Sequence, residues 1–296
     1  MIYLSTGGHR FKNAAETALD FYSHGIVGVE LSGGTFSATY QADLLGLPKE
    51  LTLQVHNYFP PPANPFVLNL ASNDEAIAEQ SLRHVRTAMR LAVLLRNPVY
   101  SFHAGFRINP QVSDLGKKLS RYNLIDRDVA LELFGERVAA LAEEARREGV
   151  TLLIENNVLN MTNLATYGED PLLLAHSDEI AGFMERMPSN VGLLLDVAHL
   201  KVSANSLKFD LIHAHETLKK WIRGYHLSDN DGTADSNEHV HSDSWFWKVL
   251  MPDQDYYSLE VYQTPISGLV EQYNYVVMML AKMLFKLKKA ELKSVY

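Results

Sequence analysis

The 296-residue chain has no cysteine, and its 27 Lys and Arg face 35 Asp and Glu for a formal charge of −8. Disulfides and thiolate metal sites are thereby excluded, leaving His, Asp and Glu as metal donors, and the basic footprint of a nucleic-acid-binding protein is missing. With 47% hydrophobic residues the chain can bury a large core, yet it has no run of about eighteen uncharged apolar residues to span a bilayer. Met1-Ile2-Tyr3-Leu4 lacks a basic n-region and enters a strand-like segment directly, so no signal peptide and a cytoplasmic location are expected.

Eight short apolar runs predict strands at Ile2–Ser5, Val27–Leu31, Leu51–His56, Val99–His103, Thr151–Glu155, Val191–Asp196, Ile222–Leu227 and Tyr257–Val261. Each is bounded by turn or helix signals, the pattern of a strand buried on both faces. Helical stretches lie between them. Asn73-Asp74 supplies a helix start ahead of residues 75–95, and Leu131, Phe134, Val138, Leu141 and Ala145 recur three and four apart. Strand–helix alternation eight times over, with no Pro/Gly/Ser-rich linker, predicts an α/β fold: a single (β/α)8 TIM barrel spanning residues 1–296. Three strand-to-helix connections are long: residues 57–72, 104–126 and 228–243. All follow strands, so all belong to the carboxyl-end face, as walls or a lid over a substrate. A rigid surface connector accounts equally well for the first, which holds Pro60, Pro61, Pro62 and Pro65. Lys282, Lys286, Lys288, Lys289 and Lys293, interleaved with Leu and Met, read as a solvated amphipathic last helix.

Glu155, Asp196, His226 and Glu260 stand at or near the ends of four of these runs. One such residue alone is ordinarily a helix cap or a surface pair. Burying a charge is costly unless something pairs with it, and four strands converging on one ion explain all four costs together. Carboxylates with one imidazole suit a single divalent ion: Mn²⁺, Mg²⁺, Co²⁺ or Zn²⁺.

Leu-Ile-Glu-Asn-Asn at 153–157, Leu-Asp-Val-Ala-His at 195–199, His-Leu-Ser-Asp-Asn-Asp-Gly at 226–232 and Leu-Glu-Val at 259–261 resemble the xylose-isomerase-like TIM barrel superfamily. Val-His at 55–56 and Phe-His-Ala-Gly at 102–105 extend the resemblance over nearly the whole chain. The superfamily includes sugar and sugar-phosphate isomerases and epimerases, and endonuclease-IV-type enzymes. The resemblance implies that Glu155, Asp196, His226 and Glu260 hold one ion, with His199 beside it touching substrate oxygens. The nuclease pattern adds His56, His103, His199 and an Asp-x-His pair. Here that pair's place holds Asn237-Glu238-His239, followed by His241 where many relatives have proline, and Ser242-Asp243-Ser244 replaces Gly-Glu-Gly. A neutral amide bridges cations poorly, which weakens a three-metal reading.

The resemblance therefore implies a metal-dependent sugar or sugar-phosphate isomerase or epimerase working through an ene-diolate. Glu155 and Glu260 would be its acid–base pair, with Asn156 and Asn157 orienting Glu155. His56, His103, His199 and His239 are the substrate-contact candidates. For His56 and His103 a second ion is the alternative, and for His239 and His241 a solvated loop. Glu30 reads as a wall residue or a structural pair. Arg107 and Arg223 read as phosphate anchors or as ordinary surface residues. Gly7-Gly8-His9 and Gly33-Gly34 carry no nucleotide fingerprint. The alternative function is a zinc-dependent endonuclease-IV-like phosphodiester hydrolase; a ligand-binding barrel without turnover and a dehydratase using the same enolate chemistry also remain open. The expected partner is a small sugar or sugar phosphate, with neither nucleic acid nor membrane. Pairing of copies through exposed barrel helices is left open.

Overall fold

Eight parallel strands close on themselves in chain order, β8 pairing back onto β1. The structure, a computed structural model, describes residues 1–9, 12–114 and 118–294, the last four by backbone alone. The strands are β1 (Ile2–Ser5), β2 (Gly28–Leu31), β3 (Thr52–His56), β4 (Val99–His103), β5 (Thr151–Glu155), β6 (Val191–Asp196), β7 (Ile222–Leu227) and β8 (Tyr256–Leu259). Five coincide with the predicted spans; β2 and β3 each start one residue later, and β8 starts one residue earlier and ends two earlier. The rim position of each predicted ligand is therefore kept, Glu260 falling just past β8.

The helices are α1 (Ala14–Ser23), α2 (Tyr40–Leu45), α3 (Glu75–Leu94), α4 (Arg127–Glu148), α5 (Met161–Tyr167), α6 (Ser177–Met184), α7 (Val197–Leu207), α8 (Leu211–Leu218) and α9 (Ile266–Ser294). The predicted start of α3 is realised by Asp74, whose carboxylate accepts from the amides of Ala76 and Ile77. Asp126 caps α4 in the same way, and Gly149 ends it at φ 72°, a left-handed turn that suits glycine. The three-and-four spacing in α4 does what it predicts. Phe134, Val138, Leu141 and Ala145 are fully buried in one core with Val85, Ala88 and Met89 of α3 and the outward strand residues Val55, Tyr100, Leu152 and Ile154. Truncating Phe134 to Ala would cost about 3–5 kcal/mol in transfer and cavity energy.

Alternation breaks after β7, where only a 3-10 turn, Trp245–Lys248, precedes β8. The segment before it is folded by its own polar groups: Asp229 accepts from Lys201 and Ser244, and its backbone bridges Glu238. Buried Phe246 and Leu250 cover that side of the barrel in place of a helix. At the far end, Leu269, Val276 and Leu280 seat α9 on the core, while Phe285 is 70% exposed among exposed Lys282, Lys286, Lys288 and Lys289. The Lys293 side chain lies outside the described residues. Among those residues, no helix is long and apolar enough to cross a membrane.

Inside the barrel the two-residue period of a strand separates two levels. Tyr3, Leu153, Leu194 and Tyr256 form a small apolar cluster low in the lumen, Tyr3 and Tyr256 meeting edge-on at 5.4 Å between ring centroids. Two residues further along their strands come Ser5, Glu155 and Asp196. Gly224 leaves room for this layer, since a Cβ there would fall 2.9 Å from both Cβ and the carbonyl oxygen of Tyr256.

Candidate metal centre

At the upper level, Glu155, Asp196, His226 and Glu260 each offer one donor atom, and all four atoms lie within 4.8 Å of one another. Nδ1 of His226 is 3.2 Å from Glu155 Oε1, 3.4 Å from Glu260 Oε2 and 3.9 Å from Asp196 Oδ2. Donors about 2.0–2.2 Å from a zinc-sized ion stand roughly 3–4 Å apart, so these spacings fit one. Glu155, Asp196 and His226 have no exposure and Glu260 has 6%. Asp196 Oδ2 has no hydrogen-bond partner among the described residues, an arrangement costly for a buried carboxylate unless a cation meets it. The donor set and that orphaned oxygen fit a divalent ion.

Each donor is held from behind. Glu260 Oε1 accepts from Ser5 Oγ at 3.0 Å and from Tyr262 Oη at 3.2 Å. Gly7 admits that tyrosine, since a Cβ at Gly7 would lie 2.1 Å from its hydroxyl oxygen. Asp196 caps α7, accepting from the His199 amide at 2.7 Å. The Asn156 side chain grips the Asp196 backbone from both sides, accepting from its amide at 2.8 Å and donating to its carbonyl at 3.1 Å. Asn156 thus positions Asp196 by hydrogen bonds, where the sequence suggested Glu155. Asn157 instead donates to the carbonyls of Ala104, Gly105 and Leu173, tying two rim loops together. Behind His226, its Nε2–H donates to Glu30 Oε2 at 2.9 Å.

The ionisation states follow from this crowding. Burial pushes the Asp196 carboxyl up to about 7; His199 pulls against that shift, and Glu155 adds to it. Burial also acts on Glu155, but the imidazoles of His103, His226 and His56 more than offset it and hold the carboxyl well below the usual range. Glu260 is brought down to about 2 in the same way, His226 overcoming burial. Conversely, burial disfavours charge on His226, yet Glu30, Glu260 and Glu155 carry its pKa well above the ordinary value. His199 is raised likewise by Asp196 and Asp235.

The remaining candidates divide. Nε2 of His56 and of His103 lie 3.3 and 3.6 Å from Glu155 Oε2, making a second three-donor group that shares Glu155. His199 donates Nδ1–H to the Asn156 carbonyl at 2.9 Å, with Nε2 3.2 Å from Asp235 Oδ2. His239 is not brought into this cluster; its Nε2 meets Thr264 Oγ1 at 2.8 Å. His241 is exposed. Asn237 sits buried at φ 48°, its carbonyl accepting from the Tyr262 amide. Asp235, two residues earlier, is the carboxylate that this loop places beside His199, and matching by motif missed it. Arg107 is buried and bound to Glu169 and to the carbonyls of Asp170 and Ile125. Arg223 is exposed near the start of β7, its guanidinium donating to the Lys220 and Ile222 carbonyls. Both guanidiniums are thus engaged by protein groups.

Among solved structures, a D-tagatose 3-epimerase-like protein superposes with a TM-score of 0.71 at 16% identity, covering 96% of this chain and 98% of that one. L-ribulose 3-epimerase follows at 0.68 and 17%, covering 99% and 97%. An AP endonuclease, family 2, from Brucella melitensis gives 0.59 and 18%, covering 90% and 95%. At these identities the likeness speaks for the fold alone, which is shared by proteins of both reaction types. The family model described as xylose isomerase-like TIM barrel matches residues 15–263, and the chain belongs to that family.

Proposed function

We propose that the protein is a metal-dependent isomerase or epimerase of a small sugar or sugar phosphate, moving a proton at a carbon beside a carbonyl. The observation that carries this reading is the buried convergence of Glu155, Asp196, His226 and Glu260 with an unpartnered Asp196 oxygen. When bound, a divalent ion supplies Lewis-acid stabilisation of the negative charge that develops as the proton leaves, worth several kcal/mol. Asp196 and His226 hold it. Glu155 and Glu260 reach in from different strands, so one can take the carbon-bound proton and the other return it; such catalysis contributes about 10²–10⁴-fold. The hydroxyls of Ser5 and Tyr262 pin one oxygen of Glu260 and leave the other facing inward. His103, with 30% of its side chain exposed, is the imidazole open to substrate oxygens, and His199 stacks against it at 5.6 Å. His239, whose Nε2 is engaged by Thr264, has no part in this reading.

The test combines metal content with solvent-hydrogen exchange over a panel of ketopentoses and ketohexoses in D₂O. One exchangeable ion per chain is expected, with deuterium entering one carbon of an accepted sugar and lost in Glu155→Gln and Glu260→Gln. Wild-type exchange rates in both variants would refute the assigned pair. A second reading, metal-dependent phosphodiester hydrolysis, draws on the His56–His103–Glu155 group, which offers a place for another ion. Two or three tightly held zinc ions per chain, with cleavage of a phosphodiester and no sugar exchange, would establish it instead.

A further inference from the structure

Glu30, next to last in β2, is fully buried and lies outside the four-donor group, although its carboxylate forms a three-donor group of its own with His56 and His226. Its Oε2 receives two hydrogen bonds, from His226 Nε2–H at 2.9 Å and from the Tyr256 hydroxyl. The Tyr256 oxygen lies 3.3 Å from Ser101 Oγ, which lies 2.9 Å from His56 Nδ1. This string runs beneath the metal centre and joins two histidines that face the lumen, their rings 4.7 Å apart.

From this geometry, and resting on the metal-binding part of the function proposed above, we infer that Glu30 is a positioning residue that sets the tautomers of both histidines. A carboxylate only accepts. Tyr256 must therefore donate to Glu30, which turns its oxygen lone pairs to the Ser101 hydroxyl. Ser101 spends its one proton on Tyr256 and so accepts from His56 Nδ1–H. In the metal-loaded protein His56 is then left with its Nε2 lone pair toward the cavity, 3.3 Å from Glu155 Oε2, two acceptors that a cation would have to bridge. On the other branch, Glu30 holds the His226 proton on Nε2 and leaves the Nδ1 lone pair for the ion, toward Glu155, Glu260 and Asp196. One buried carboxylate thus presents opposite nitrogens of two rings to the same cavity. A carboxylate behind a ligating histidine is a recognised means of fixing its proton and raising its basicity. Here the same group acts at a distance through two hydroxyls.

The test is ¹⁵N NMR of histidine-labelled protein loaded with Zn²⁺, together with Zn²⁺ affinity by calorimetry, neither of which needs a substrate. The wild type is expected to show His226 protonated on Nε2 and His56 on Nδ1. Tyr256→Phe cuts the string beyond Glu30, so His226 should keep its tautomer while His56 loses its fixed one. A merely structural role for Tyr256 would not separate the two rings in this way. Glu30→Gln should weaken Zn²⁺ binding about 10–100-fold and blur the His226 assignment. Zinc on Nε2 of His226 in the wild type would overturn the inference without needing any variant to fold. So would unchanged tautomers and affinity in both variants. Bound zinc with the expected tautomers but no sugar turnover would sink the isomerase reading and leave this inference standing. A wild type that binds no zinc would sink both.

Discussion

Replacing Asn156 by Ala isolates the contact that holds Asp196 in place. The Asn156 side chain acts as one more rung between β5 and β6, satisfying both the amide and the carbonyl of Asp196 where the strands separate. Asn156 and Asp196 are both essentially without exposure, so water cannot replace the lost partners without opening the rim. The Asp196 carbonyl, as the cap of α7, keeps the first bond of that helix, so the loss is that of one unpaired buried amide, about 1–3 kcal/mol. Against a total stability of about 5–15 kcal/mol, that is a large fraction. Urea unfolding followed by the fluorescence of Trp221, Trp245 and Trp247 measures it directly. Metal affinity should fall in parallel, because Asp196 loses the side chain that fixes its backbone, whereas the His199 ring keeps its bond to the Asn156 main-chain carbonyl at 2.9 Å. A variant within 0.5 kcal/mol of wild type would show that Asp196 is held by something else.

Other outcomes follow from the same structure. Burial pulls the His84 pKa down to about 4, against 6.5 unperturbed; between those values the unfolded chain binds the proton and the folded chain does not. Stability should therefore fall as pH drops from about 6.5 to 4, by about 3 kcal/mol at 1.4 kcal/mol per unit. His84→Phe should remove that part of the slope in pH-dependent unfolding, and an unchanged slope would contradict it. Adding Zn²⁺ at about 100 times its Kd should stabilise the wild type by about 3 kcal/mol; a melting temperature indifferent to metal and to chelator would count against the ion. Asn69 joins two rim loops, its Oδ1 accepting from the amides of Ala71 and Phe106 and its Nδ2 donating to the Phe106 and Ile108 carbonyls. Asn69→Ala should speed hydrogen exchange at these loop amides while leaving the strands protected; uniform acceleration would mean global destabilisation instead.

The strands were readable because a parallel sheet covered on both faces demands unbroken apolar runs, and because a charged residue ending such a run stands out. Glu155, Asp196, His226 and Glu260 came from that contrast, helped by family resemblance. What governs their neighbours is lateral, set by which rim residues face one another across the lumen. Glu30 was visible as an acid at a strand end, but its pairing with His226 joins residues 196 positions apart. The segment after β7 was least legible. Side-chain bonds to Asp229 and the positive φ of Asn237 fold it without periodicity, so the carboxylate beside His199 proved to be Asp235, displaced by two from the matched position. The same lack of periodicity hid the replacement of a helix there by Trp245–Lys248.

The layering of the lumen gives neighbouring positions different evolutionary freedom. A change at Leu153 or Leu194 disturbs the packed floor and is answered by the folding equilibrium. A change two steps along, at Glu155 or Asp196, disturbs the chemistry above it. Tyr256 belongs to both storeys, its ring resting on Tyr3 and its hydroxyl reaching Glu30. New reactivity can be recruited on the upper storey while the foundation stays as it is, except where a substitution touches Tyr256.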